Sequence, residues 1–244
     1  MAFKISADGT VANAKSGLAS KSGIPAMYGT GDTTTVPSNE SSITESNVYI
    51  TEKLGSAIAA GNGYFVVSHY DENRSGTDRG AIEVYDYDGN YQWGAQSPSP
   101  VNNGEYGRGL AIGYGYVAVG EPGATGGGRV NLRALDGSGT SVSHFQATDA
   151  ASGDQFGQSV AIGSGKLVVG ANLDDDGASG SGSAWIYDLA TFGTSSPVKL
   201  TASDRASADN FGTQVAAGNS RIVVGAYGAG AQGAAYLYTR DGFF

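Results

Sequence analysis

The chain writes one short text four times. The copies read LGSAIAAGNGYFVVS from Leu54, YGRGLAIGYGYVAVG from Tyr106, FGQSVAIGSGKLVVG from Phe156 and FGTQVAAGNSRIVVG from Phe211. Their starts lie 52, 50 and 55 residues apart. A period of that size belongs to stacked or radial arrays, in which each repeat is one supersecondary unit that buries its apolar face against its neighbours. The functional question becomes which surface such a scaffold presents.

Within the third copy the strands can be counted. Gln158 to Ile162 is followed by the turn Gly163-Ser164-Gly165, then by Lys166 to Gly170. After a loop from Ala171 to Gly182 comes Ser183 to Leu189, with Trp185 and Tyr187 in alternation, and then Pro197 to Thr201. Four short strands joined by Gly-rich turns describe a β-propeller blade, and no stretch of the array keeps a helical period. The 40 glycines follow no period of three and fall at turns and strand ends. The expected fold is therefore all-β: a small β-propeller of about four blades over residues 47–244, behind an extended polar arm over residues 1–46. The fourth copy stops soon after Tyr236-Leu237-Tyr238 and lacks an outer strand. Val48-Tyr49-Ile50-Thr51 matches Val198-Lys199-Leu200-Thr201 in pattern. It is expected to complete the last blade and close the ring, which would remove two exposed sheet edges. The alternative is an open arc completed by another subunit.

Charge and composition narrow the partners. A net charge of −9 argues against general nucleic-acid binding, which needs phosphate neutralisation. The absence of cysteine excludes disulfides and thiolate metal sites. No apolar run has the length of a membrane span or the form of a secretion signal, so no membrane insertion is expected. The first 22 residues set Lys4, Lys15 and Lys21 against Asp8 alone. Such a leader reads either as a flexible terminus or as an arm that orders on a partner subunit.

Two linkers are nearly the same text, ATDAASGDQFG from Ala147 and ASDRASADNFG from Ala202. With the Val-Val-Gly-Ala runs that follow, the array resembles the FG-GAP repeat, which builds the β-propeller of integrin α-subunits and of many bacterial and phage surface proteins. The Phe-Gly pair stands in copies three and four and becomes Tyr-Gly and Leu-Gly in copies two and one. The resemblance implies a propeller blade for each copy, and implies calcium as a cofactor where a blade carries an Asp-x-Asp-x-Asp-Gly loop. Copy three offers Asn172, Asp174 and Asp176 before Gly177, a set of alternating oxygens on a tight loop that suits a hard cation. Asn replaces the first Asp, and Gly180 stands where a ninth-place carboxylate is usual. Copy one carries a fainter echo in Asp71, Asn73 and Ser75 before Gly76, with Arg79 at the ninth place. The competing reading of both is a solvated hairpin loop.

Catalysis finds little support. His69 and His144 belong to no nucleophile or metal motif, and Asp86 and Asp88 lie in a hairpin turn, YDYDGN. Tyr85, Tyr87, Tyr91 and Trp93 cluster at the end of copy one. They could stack on sugar rings or anchor a protein, or fill space between blades. The expected function is non-enzymatic: a structural or adhesion module, a bacteriophage virion component anchored by its arm, with other virion subunits, a surface protein or a glycan as partner and homo-oligomerisation expected. The alternatives are a bacterial extracellular or cell-surface adhesion module, calcium-dependent in one form, and more remotely a polysaccharide-acting enzyme.

Overall fold

The computed structural model describes residues 55–70 and 79–242, together with two short strands nearer the N-terminus. Those two, β1 (Phe3–Ile5) and β2 (Val11–Asn13), pair antiparallel. The segment expected to be an extended arm therefore contains a hairpin.

Four antiparallel sheets follow in chain order. Sheet one is β3 (Ile58–Gly61), β4 (Tyr64–His69), β5 (Ala81–Asp86) and β6 (Tyr91–Gln96). Sheet two is β7 (Leu110–Gly113), β8 (Tyr116–Glu121), β9 (Arg129–Ala134) and β10 (Ser141–Phe145). Sheet three is β11 (Phe156–Gly163), β12 (Lys166–Ala171), β13 (Ser183–Asp188) and β14 (Val198–Leu200). Sheet four has β15 (Phe211–Ala217), β16 (Arg221–Ala226) and β17 (Ala234–Thr239). Among the described residues there is no helix. The first hairpin of sheets one to three turns on two residues of positive φ: Asn62-Gly63, Tyr114-Gly115 and Ser164-Gly165. That is the backbone a two-residue turn must adopt to match strand twist.

The sheets stack through their inner strands, β3 on β7, β7 on β11 and β11 on β15. Side-chain alternation assigns each face to one neighbour. Val66, Ile82 and Val84 of sheet one meet Leu110, Ile112, Val117 and Val119 of sheet two. Ala118, Val130 and Leu132 from the other face of sheet two meet Phe156, Leu167, Val169 and Trp185. Val168, Ala184, Ile186 and Leu200 meet Phe211, Ile222, Val224 and Tyr238.

The Phe-Gly pair makes these junctions. Tyr106, Phe156 and Phe211 are fully buried. Their backbone amides donate to the preceding sheet, Tyr106 N to Arg79 O at 3.0 Å, Phe156 N to Gly127 O at 2.8 Å and Phe211 N to Ser181 O at 3.0 Å. The glycine that follows lies main chain to main chain on the second strand of the sheet before. A Cβ on Gly120 would come within 1.9 Å of Gly157 O, and one on Gly170 within 1.9 Å of Gly212 O. No side chain fits there.

Among the described residues nothing packs on the far face of sheet four. Val223 is 38% exposed and Leu237 56%, whereas their counterparts in sheet three, Val168 and Ile186, are 0% and 4% exposed. Ile58 on the inner strand of sheet one is 70% exposed. Among the described residues no strand of sheet four pairs with sheet one, and sheet four has three strands where the others have four. Val48–Thr51, expected to supply the missing strand and close a ring, lies outside the described residues.

The junction predicts a contrast between two equivalent glycines. Gly170→Ala forces the backbone of Gly212 aside and should cost about 2–4 kcal/mol. At Gly225 the nearest neighbour of a new Cβ is 3.6 Å away, at Gln214 O. Gly225→Ala should therefore stay within about 1 kcal/mol of the parent. Urea denaturation of both variants measures the difference.

Candidate functional site

The loop between β12 and β13 and the linker entering sheet three converge on one lysine. Lys199 lies on β14, opposite Trp185 in the β13–β14 pair. Its Nζ stands 2.7 Å from Asp149 Oδ2, 2.8 Å from Asp174 Oδ2 and 2.8 Å from Asp176 Oδ2. It also rides over the indole of Trp185, 5.2 Å from the ring centroid. Burial works against the Lys199 charge, but the hydrogen bonds it donates to Asp149, Asp174 and Asp176 outweigh it and raise the ammonium above the usual lysine range. The hydrogen bond from Lys199 holds the Asp176 carboxyl below its ordinary value.

The loop is built to hold these groups. Asp174 is buried; its Oδ1 accepts the Asp176 amide at 2.8 Å, and its Oδ2 accepts Ser183 Oγ at 2.6 Å. Ser183 Oγ in turn accepts Trp185 Nε1 at 3.2 Å. Asp175 Oδ1 accepts the Gly180 amide at 2.6 Å. Of the three residues read as calcium ligands, Asp174 and Asp176 come together, joined by Asp149. Asn172 turns its amide nitrogen toward Asn210 Oδ1 at 3.5 Å, and its own buried Oδ1 has no hydrogen-bond partner among the described residues. The three carboxylates have the chemistry for a hard cation and lie within 4.8 Å of one another. As they stand, they are arranged around the Lys199 ammonium, which takes the point where a cation would sit. Asp71, Asn73 and Ser75 lie outside the described residues.

The sequence pattern did not reveal Asp149 and Lys199 as members of this cluster. The signal for Asp149 was its place in the repeated linker. Its neighbour Asp154 does something else. It is buried and accepts the Ala151 amide at 2.7 Å, as Asp209 accepts the Ala206 amide at 2.6 Å. Asp154 and Asp209 thus fix the turn before each Phe-Gly.

The aromatic cluster of sheet one divides. Tyr85 and Trp93 are buried, Tyr85 stacked on Phe65 at 5.2 Å and edge-on to Tyr91 at 5.8 Å. Tyr87 and Tyr91 are exposed. His69 is buried and His144 exposed. Asp86 accepts the amides of Asp88 at 3.0 Å and Asn90 at 2.8 Å, which makes it a turn residue. Sheet two holds a buried ion pair: Glu121 accepts Arg129 Nε at 2.7 Å, Ser97 Oγ at 2.9 Å and Asn131 Nδ2 at 3.1 Å.

The FG-GAP repeat model matches residues 139–187 and 195–238. Those segments hold most of copies three and four, and the match supports the resemblance carried by their linkers and Phe-Gly pairs. No curated protein matches this chain.

Removing one partner of a satisfied buried pair leaves the other as an unpaired charge. Arg129→Met should cost about 3–5 kcal/mol by stranding Glu121. Thermal and urea unfolding followed by far-UV circular dichroism would measure it.

Proposed function

We propose that the chain is a non-enzymatic structural or adhesion module that works by docking other proteins, and that it is a component of a bacteriophage virion. The observation that carries the docking is the far face of sheet four. Val223 and Leu237 stand in positions that the repeat buries against a following sheet wherever one is present, and here they are exposed. Ala216 and Ala235 beside them are also exposed, and the four together carry no charge. Such a face favours a protein partner over a polar ligand.

The charged groups support a non-enzymatic reading. The Glu121–Arg129, Lys166–Asp188 and Lys199 clusters each satisfy one another within the scaffold. The two FG-GAP repeats favour an adhesion or interaction role. The virion assignment rests on the Gly-, Ser- and Thr-rich, cysteine-free sequence and on the distinct N-terminal segment, which would anchor the array to a particle.

Mass spectrometry of density-purified particles from the source culture, set against the washed cell-surface fraction, tests the placement. Enrichment at a fixed ratio to a major capsid protein is the expected result. Recovery from the cell surface alone would replace the virion by a bacterial adhesion module. Leu237→Glu tests the face: it should reduce incorporation into particles at least tenfold while leaving the melting temperature unchanged. Normal incorporation of that variant would remove the face from the docking surface.

A further inference from the structure

We propose that Lys199 is a tethered substitute for the divalent cation that the loop pattern implies, and that the third repeat is held together by this ammonium without metal. Three observations support this. The first is position. Asp149, Asp174 and Asp176 come from the entry linker and the β12–β13 loop, yet their oxygens meet at one point, and Lys199 Nζ lies 2.7–2.8 Å from an oxygen of each. Those are lengths of charge-assisted N–H···O hydrogen bonds, whereas calcium draws its oxygens to about 2.3–2.6 Å.

The second is charge. Three carboxylates need more than one positive charge nearby. Arg205 supplies a second: its guanidinium lies against Gly177, and it acts with Lys199 to lower the Asp176 carboxyl. Two side-chain cations thereby bring the charge of one divalent ion. The third is the platform. The β13–β14 register sets Lys199 opposite Trp185, and the indole face adds a cation–π contact to the ammonium. Trp185 itself is fixed through Ser183 to Asp174, so platform and acids form one hydrogen-bonded unit.

The loop also departs from a metal loop at two ligand positions. Asn172 points its amide toward Asn210, and Gly180 brings only its backbone amide, which goes to Asp175. Lys199 joins the entry linker, the loop and the outer strand in one contact, the mechanical role a structural ion would otherwise play.

Calcium titration of the intact chain tests this. Isothermal calorimetry should show no binding up to about 1 mM calcium, the affinity range of weak extracellular sites. The melting temperature should be the same in calcium and in EDTA. Lys199→Met keeps the unbranched stem of the side chain and removes its charge. It should lower the melting temperature in EDTA by several degrees and gain calcium binding, with recovery of most of the loss at millimolar calcium. Terbium luminescence sensitised by Trp185 should appear in the variant and be absent from the parent. Submillimolar calcium binding by the parent, or a parent melting temperature that rises with calcium, would overturn the proposal. So would a folded Lys199→Met that neither loses stability nor responds to calcium. The parent titration decides the matter even where the variant fails to fold.

Discussion

Everything in this array depends on backbone touching backbone between successive sheets. Glycine at the end of the Val-Ala-Val-Gly and Leu-Val-Val-Gly runs of β8 and β12 faces the glycine of the next Phe-Gly, with no room for a Cβ on either. That closeness lets the aromatic of the pair sink completely between sheets and lets its amide bond to the sheet before. A side chain at that contact would hold the hydrophobic faces on either side apart, and dispersion energy falls off steeply even over a gap of about 1 Å. Sheet one shows the limit of tolerance: Ser68 replaces the glycine, and a Cβ on the facing Gly107 would lie 2.7 Å from the Ser68 Cβ. There Ser68 Oγ instead accepts the Ala57 amide at 3.1 Å.

Strand order and turns were legible in the sequence because they obey local rules. Alternation at Trp185 and Tyr187 and the turn at Ser164-Gly165 follow from side-chain period and from the φ each residue accepts. The convergence of Asp149, Asp174, Asp176 and Lys199 was only half legible. Asp174 and Asp176 are two apart on one loop and announce themselves as a motif. Asp149 and Lys199 are 50 residues apart and meet only because β14 pairs with β13 in a particular register. The fate of Tyr85 and Trp93 was hidden for a related reason. A ring on a strand reads the same in sequence whether it faces a neighbouring sheet or solvent. Closure of a ring was a pattern inference about residues 48–51, and the exposure of Leu237 shows what such a pattern cannot supply, namely what packs on the last sheet.

Sheets two and three place their ion pairs differently. Glu121 of β8 occupies the position that Ala171 holds in β12. In sheet two the charge lies inside and is met by Arg129, Ser97 and Asn131. In sheet three the same strand end is apolar, and the charges have moved outward to the loop and to Lys199. One fold thus carries two electrostatic solutions one repeat apart.

Each junction is directional, with an aromatic-glycine plug on the entering sheet and a glycine socket on the sheet before. In sheet four the plug is engaged, and among the described residues the socket at Gly225 stands open. A duplicated repeat of some fifty residues could therefore be added at that end without disturbing any existing junction. Addition of copies there would change the length of the array one unit at a time.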